Sequence, residues 1–434
     1  MRVLVLGAGG REHAILSTLQ RTSRSPLELY CVPGNGGISD LAECVPLNLS
    51  DHSSLTNFAC ARRIDFTVVG PEGPLATGIV DEFERVGLNI VGPGRAASRL
   101  ESSKSFAKDF MYRHQIPTAT YEVANSVTNA LQVLRSGKFG AEDTPVVVKA
   151  DGLAAGKGVI VASSRTEAER AVATLTDGTV VDAGASKLVI EEALFGREVS
   201  VLVFADGHDY ALMPAARDHK RVRENDTGPN TGGMGAVTGP SVIDETTLKR
   251  IVSEVVEPTL RGAQQEGMPF RGVLFVGLML TADGPKVLEY NVRFGDPETQ
   301  AILVRLESDL AQIFQSIVSG DLRNIAVEWT NESSACVVLA SAGYPGVYKT
   351  GLPIKGLDEV SPAPGVQVFH AGTARLETGD YITSGGRVLG ITATAPTLGQ
   401  ALDRCYRSIE RIEWDGMHYR RDIGHFKESL KANN

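Results

Sequence analysis

Along the first hundred residues, short apolar runs alternate with stretches in which apolar positions recur every three or four residues. VLVLG, ELYCV, DFTVVG and NIVG have the unbroken, β-branched character of buried strands, whereas Arg11 to about Gln20, Leu55 to Arg63 and Ala76 to Val86 have helical spacing. Strand and helix in regular alternation predict a doubly wound parallel sheet, with functional loops at the carboxyl ends of its strands. The pattern changes near Glu101. ESSKSFAKDFMYRHQ predicts one helix, capped by Ser102 or Ser103, that carries Phe106, Phe110 and Met111 on one face and stops at Ile116-Pro117. A small α+β unit follows, with a hairpin, a helix from Thr166 to about Leu175 and the strand KLVIEEAL. From about Trp329 short β-rich runs dominate until a helix at Leu398 to Arg411. These shifts predict an α/β and α+β multidomain chain: an N-terminal domain over 1–103, a central domain over 104–328 whose part at about 120–190 is a mobile unit, and a small β-rich C-terminal domain over 329–434.

The stretch Pro145 to Ala162, PVVVKADGLAAGKGVIVA, reads as strand, glycine-rich turn, strand. Gly152, Gly156 and Gly158 let backbone approach a bulky anion, and Lys149 and Lys157 add positive charge, so a polyphosphate is the natural ligand. A P-loop is excluded, because Gly152 and Gly156 enclose three residues rather than four and β-branched residues follow instead of a helix. GAGGREH (7–13) invites a dinucleotide reading, but Glu12 stands where the third glycine would fall and no acid closes the second strand. What remains is a small anion site from the Gly9 and Gly10 amides, a helix N-terminus and Arg11. The PGNGG and GPEGP loops bring Asn35, Gly36, Gly37, Pro71, Glu72 and Gly73 to the same sheet edge, where they could read a polar metabolite.

Further along, Lys104 sits in the first turn of its helix, where a cation is unfavourable unless it serves an anion. Glu191 and Glu192 end a strand and Glu198 lies just beyond, acids placed to accept from an adenine amino group or ribose hydroxyls. The run 216–237 concentrates Arg217, Asp218, His219, Lys220, Arg221 and Arg223 ahead of a glycine-rich loop. In KVLEYNVRFGDPETQ, Glu289 and Asn291 are two apart on a strand and share one face, which is oxygen ligation suited to Mg2+ or Mn2+. Arg293, Asp296 and Glu298 follow in a loop. The apolar strand before it, GVLFVGLML, supplies no additional carboxylate.

Composition narrows the partners. A net charge of -9 over 434 residues argues against nucleic acid, whose binding needs clustered cations. The five cysteines are scattered and form no CxxC pair, so neither a disulfide framework nor a zinc site is expected. No apolar run reaches the ~18 residues of a membrane span, and a cytoplasmic protein acting on small molecules is expected.

Taken in order, GAGGREH, PGNGG, GPEGP, KADGLAAGKGV, DHKR with TGPNTGGMGA, and LEYNVRFGDPE closely resemble the phosphoribosylamine-glycine ligase family of the ATP-grasp superfamily, and they span nearly the whole chain. The resemblance implies that ATP is a substrate and that the 145–162 hairpin closes over it. It also implies that glycine is activated as glycyl phosphate and captured by 5-phosphoribosylamine. On that footing Lys104, Lys149, Gly156, Lys157 and Gly158 attend the ATP phosphates. Glu191 or Glu192, with Glu198, take adenine and ribose; Glu289 and Asn291 take Mg2+ or Mn2+. Arg293, Asp296 and Asp218 position substrate and meet transition-state charge. The loops carrying Gly9, Gly10, Arg11, Asn35, Gly36, Gly37, Pro71, Glu72 and Gly73 surround phosphoribosylamine. A monomer or weak dimer is expected. Other ATP-grasp ligases, which would turn over ATP with bicarbonate, are the nearest alternative.

Overall fold

Five short strands near the N-terminus form an all-parallel sheet in the order β3-β2-β1-β4-β5: β1 Arg2–Gly7, β2 Glu28–Pro33, β3 Glu43–Cys44, β4 Phe66–Val69 and β5 Ile90–Val91. The computed structural model describes residues 1–154, 157–178, 187–360 and 365–426. Val3 to Leu6 are wholly buried, as an unbroken apolar strand covered on both faces must be. The helical stretch at 76–86 is two helices, Glu72–Thr77 and Ile79–Arg85, because Gly78 between them adopts the left-handed conformation (φ 92°). The helix expected from ESSKSFAKDFMYRHQ has Ser103 as its cap, one of the two residues expected, while Glu101 and Ser102 belong to the helix before it. Ser103 is extended (φ -139°, ψ 108°) and its side chain accepts from the Phe106 N–H, which ends Arg95–Ser102 and starts Lys104–Arg113.

The mobile unit read from the sequence corresponds to a four-stranded antiparallel sheet, order β6-β9-β7-β8 (β6 Tyr121–Ala124, β7 Val146–Ala150, β8 Val159–Ala162, β9 Leu188–Glu192). The helices Val127–Arg135 and Arg165–Thr176 cover one face and enclose a core of their own, including Leu134, Val146, Val148, Val172 and Ile190.

The rest of the chain is built on one antiparallel sheet, with its main path β17-β16-β10-β12-β15-β18-β22-β19. Its strands are β10 Arg197–Asp206, β11 Tyr210–Leu212 (paired to β10 off that path), β12 Ala216–Asp218, β15 Gly235–Thr238, β16 Arg271–Thr281, β17 Gly284–Asn291, β18 Ser333–Ala340, β19 Val366–His370 and β22 Arg387–Ala395. Two small hairpins, β13 Arg221–Arg223 with β14 Thr227–Asn230 and β20 Thr373–Arg375 with β21 Tyr381–Thr383, lie outside it. The pairing of β15 with β18 carries this sheet across residue 329, so the change of texture there marks no break in hydrogen bonding. Among the described residues, no helix is long and apolar enough to cross a membrane.

Candidate active site

The chemistry gathers where β17 runs out, beneath the turn of the 145–162 hairpin. Register places Gly277 of β16 directly opposite Glu289, and a Cβ at 277 would lie 3.4 Å from Glu289 Cγ, so the glycine leaves room for that carboxylate. Burial would raise the Glu289 carboxyl, but Lys220, Lys149, Lys104 and Arg293 surround it and together hold it below the ordinary carboxylate range. Lys220, Lys149 and Arg293 also pair with Glu198, Glu191, Glu101 and Glu72, so the four cations belong to a mixed-charge network in which their ammonium and guanidinium groups can meet a polyphosphate. Asn291 shares the Glu289 face. Its Oδ1 accepts from Arg293 Nη2 at 3.0 Å, which leaves one lone pair for a cation. An ionised carboxylate and an amide oxygen fit a hard divalent ion that takes its other ligands from phosphate and water. Among the described residues, no three His, Cys, Asp or Glu side chains form a metal cluster.

Two of the lysines are held by backbone carbonyls. Lys149 Nζ donates to Leu288 O at 2.9 Å, and Lys104 Nζ to Gly152 O at 2.7 Å. Burial, with the nearby Lys149 charge, lowers the Lys104 ammonium in spite of Glu289. Asp151, next after β7, accepts from Ser103 Oγ at 3.1 Å and from the Ser105 N–H at 3.2 Å, which ties the hairpin turn to the start of that helix. Gly158 packs where a Cβ would come 2.6 Å from that of Ala154. Lys157 is exposed, and Gly156 lies outside the described residues.

Arg293 is the hub of the loop that follows. It reaches Glu101 at 2.9 Å and Glu72 at 3.3 Å, while the other Glu101 oxygen accepts from the Val292 N–H at 2.7 Å. Burial alone would lower the guanidinium, but Glu101, Glu72, Glu298 and Glu289 raise it above its ordinary value. Asp296 is held low despite burial by Arg387 at 3.2 Å and by Arg11, and it accepts from Gln300 Nε2 at 2.8 Å. Burial and the nearby Glu198 raise Asp218 in spite of Lys220, and burial and Asp218 raise Glu298. The surroundings of both carboxyls therefore favour the protonated form more than water does.

Several residues expected to meet ligand are committed elsewhere. The Gly9 N–H donates to Glu12 at 2.5 Å, and a Cβ at Gly7 or Gly70 would collide with the Glu12 side chain, so this acid welds two loops together where a dinucleotide fold has glycine. A Cβ at Gly10 would lie 2.6 Å from Gln300 Nε2, so that position is interior. Arg11 is buried; it donates to Gly70 O at 2.7 Å and Gly295 O at 3.4 Å, which makes it a brace for the 292–298 turn rather than an anion receptor. Asn35 is saturated: its amide donates to Ala8 O and His370 O, each at 2.8 Å, and its oxygen accepts from the Gly37 and Ile38 N–H groups. Gly36 and Gly37 press on Ala374 and the His370 ring, so PGNGG is a seam with the C-terminal part, not an open edge. Glu191 is buried, with its carboxylate 3.1 Å from Lys108 and 3.0 Å from Lys149. Glu192 accepts from the Thr120 N–H and is partly exposed; Glu198 is exposed and pairs with Lys220 at 3.1 Å. Glu72 pairs with Arg293, and the Gly73 Cβ position has open space around it. Glu101, Lys108, Gln300 and Arg387 belong to the site region without any local motif that marks them. Glu298 was visible only as a loop acid.

The seam makes a pH prediction. His13 Nδ1 accepts from the His370 N–H at 2.9 Å, and burial depresses both rings, His13 to about 3 and His370 to about 4. Asp40, which takes Tyr381 and Arg375, is the nearby acid opposing the His370 shift. A histidine held below its unfolded value near 6.5 leaves the unfolded chain binding more protons. Stability is therefore expected to fall as pH drops from 6.5 toward 4, by about 1.4 kcal/mol per pH unit for each ring. Urea unfolding of wild type and His13→Asn across this range measures the difference; identical slopes contradict it.

Comparison with known proteins decides the family. The phosphoribosylglycinamide synthetase N domain matches residues 1–101, its ATP-grasp (A) domain residues 102–299 and its C domain residues 334–426. The chain belongs to the phosphoribosylglycinamide synthetase family. It is 45% identical over 423 residues to a phosphoribosylamine-glycine ligase of Caldanaerobacter subterraneus subsp. tengcongensis, covering 98% of this chain and 99% of that one. The crystal structure of the Thermotoga maritima phosphoribosylamine-glycine ligase superposes with a TM-score of 0.81 at 33% identity, over 97% of this chain and 100% of that one. The biotin carboxylase domain of Hydrogenobacter thermophilus 2-oxoglutarate carboxylase, solved with MgADP, ADP and bicarbonate, shares the fold: TM-score 0.73 at 16% identity, over 96% and 91% of the two chains. The family thus has the parallel N-terminal sheet, ATP-grasp centre and C-terminal sheet strands described above.

Proposed function

We propose that this member of the phosphoribosylglycinamide synthetase family joins glycine to 5-phosphoribosylamine, with ATP cleaved to ADP and phosphate. The observation that carries this reading is the convergence at the end of β17 of the ionised Glu289 with Lys149, held on Leu288 O, and Lys104, held on Gly152 O of the 145–162 hairpin. The glycine carboxylate attacks the γ-phosphorus and ADP leaves; the amine of phosphoribosylamine then attacks the carbonyl of glycyl phosphate, loses a proton and expels phosphate. Such transfers need positioning and charge neutralisation, which a ring of fixed cations supplies, and no covalent nucleophile from the protein. Glu289 and Asn291 would hold Mg2+ or Mn2+, which when bound neutralises triphosphate charge.

Lys104, Lys149 and the hairpin residues Lys157 and Gly158 are assigned to the phosphates. Glu192 and Glu198 take adenine and ribose. Arg293, Asp296 and Asp218 face the reacting groups, and Pro71, Glu72 and Gly73 face the amine substrate. The hairpin sheet closes to exclude water from the acyl phosphate. The working units are 1–103, 104–328 and 329–434, in a monomer or weak dimer. Purified protein is expected to release ADP only when glycine and freshly prepared phosphoribosylamine are both present. Turnover that instead follows bicarbonate would replace this reading with a carboxylase.

A further inference from the structure

Lys108 lies one helical turn after Lys104 and is almost wholly buried, yet it has no place among the phosphate ligands assigned above. Its Nζ donates to Thr118 Oγ1 at 2.7 Å and lies 3.1 Å from Glu191 Oε2; Thr118 Oγ1 in turn donates to Val287 O at 2.7 Å. The other Glu191 oxygen lies 3.0 Å from Lys149 Nζ, which donates to Leu288 O. Glu191 and Lys149 are diagonal neighbours on one face of the hairpin sheet, since Glu191 pairs with Val147 and Lys149 is two residues further along β7. A closed chain of polar contacts therefore starts at Val287, passes through Thr118, Lys108, Glu191 and Lys149, and returns at Leu288. Those two carbonyls immediately precede Glu289. The ring joins the hairpin sheet to the strand proposed to hold the metal.

Its charges matter more than its geometry. Two ammonium groups and one carboxylate leave a net single positive charge. With Lys108 removed, Glu191 would neutralise Lys149, and the share of Lys149 in the field on a phosphate would be lost. We propose that Lys108 is a positioning residue acting on Lys149 through Glu191: it cancels the carboxylate, so that Lys149 still presents its full charge to the nucleotide phosphates. The proposal rests on the nucleotide site described above.

The test compares ADP with adenosine by calorimetry on the full chain. Lys108→Met is expected to weaken ADP about tenfold, the order of effect of one fixed charge a few ångströms away in a half-buried site, and to leave adenosine unchanged. Lys108→Arg keeps the charge and is expected to keep ADP affinity. The double variant Lys108→Met/Glu191→Gln removes both charges and is expected to recover ADP binding to within about threefold of wild type, because the net charge returns to one. A loss shared equally by ADP and adenosine, or a double variant no better than Lys108→Met, overturns the proposal. If Lys108→Met does not fold, Glu191→Gln alone decides: it leaves two positive charges, so tighter ADP binding supports the idea and weaker binding refutes it. Wild-type protein that binds no ADP refutes the nucleotide site itself, which is a separate failure.

Discussion

Glu289→Gln is expected to lower glycine-dependent ADP release by about a thousandfold or more while the protein stays folded, because the charge that would anchor a divalent ion is gone and the shape is kept. The surroundings explain why the effect should be large. Lys220, Lys149, Lys104 and Arg293 hold this carboxyl ionised in spite of burial, and Gly277 across the sheet provides no second acid to take over. Without Glu289 the four cations still attract nucleotide, so ADP binding is expected to survive. Steady-state turnover with calorimetry in parallel separates the two effects. A variant that keeps a tenth of wild-type turnover would show that Glu289 is only a polar strand position.

The second large effect is expected at Arg293, this time in stability as well as activity. Arg293→Met strands Glu72 and Glu101, whose carboxylates lie 3.3 and 2.9 Å from the guanidinium, and frees Asn291 Oδ1 from its donor. Removing one partner from a buried ion network costs about 3–5 kcal/mol. Glu101 gives the sign of the pH dependence. Burial already raises its carboxyl above the ordinary range against the pull of Arg293, and loss of the arginine raises it further. A carboxyl with a folded pKa above its unfolded one is taken up as the acid by the native state first, so native stability gains as pH falls toward and below that pKa. The deficit of Arg293→Met relative to wild type is therefore expected to be smaller at pH 5 than at pH 8 in urea unfolding. Arg293→Met/Glu101→Gln should recover part of the loss at pH 8. A deficit that does not change with pH would mean that Glu101 is not the stranded charge.

Strands and helices were legible where periodicity was strong: β1, β2, β4 and β5 and the helices Gly10–Thr22 and His52–Arg62 lie close to where the apolar pattern puts them. The two-residue β3 was not anticipated, because so short a run carries no period. Gly78 divides a stretch whose apolar spacing continues past it, because a left-handed glycine is a local backbone event that periodicity does not register, whereas the Ser103 cap was legible from its residue type. Within the site, Glu289 and Asn291 were legible because alternation along a strand places i and i+2 on one face. Lys104 was legible because a cation at a helix N-terminus runs against the dipole.

Side-chain commitments were not legible. The amide of Asn35 binds a carbonyl 335 residues away and Arg11 binds one 284 residues away, so a glycine-rich loop that looks free to read a ligand is already satisfied. Arg387 joins the site from a β22 position with no motif around it, and Glu191 faces inward while Glu192 faces out.

The sequence alone thus determined the order of elements, the glycine hairpin with its lysines, the carboxylate-amide pair and the family resemblance, since these rest on spacing between near neighbours. Tertiary structure alone decided which polar groups remain available to a ligand. A buried donor or acceptor must find a partner, and that partner comes from whichever distant segment the fold packs beside it.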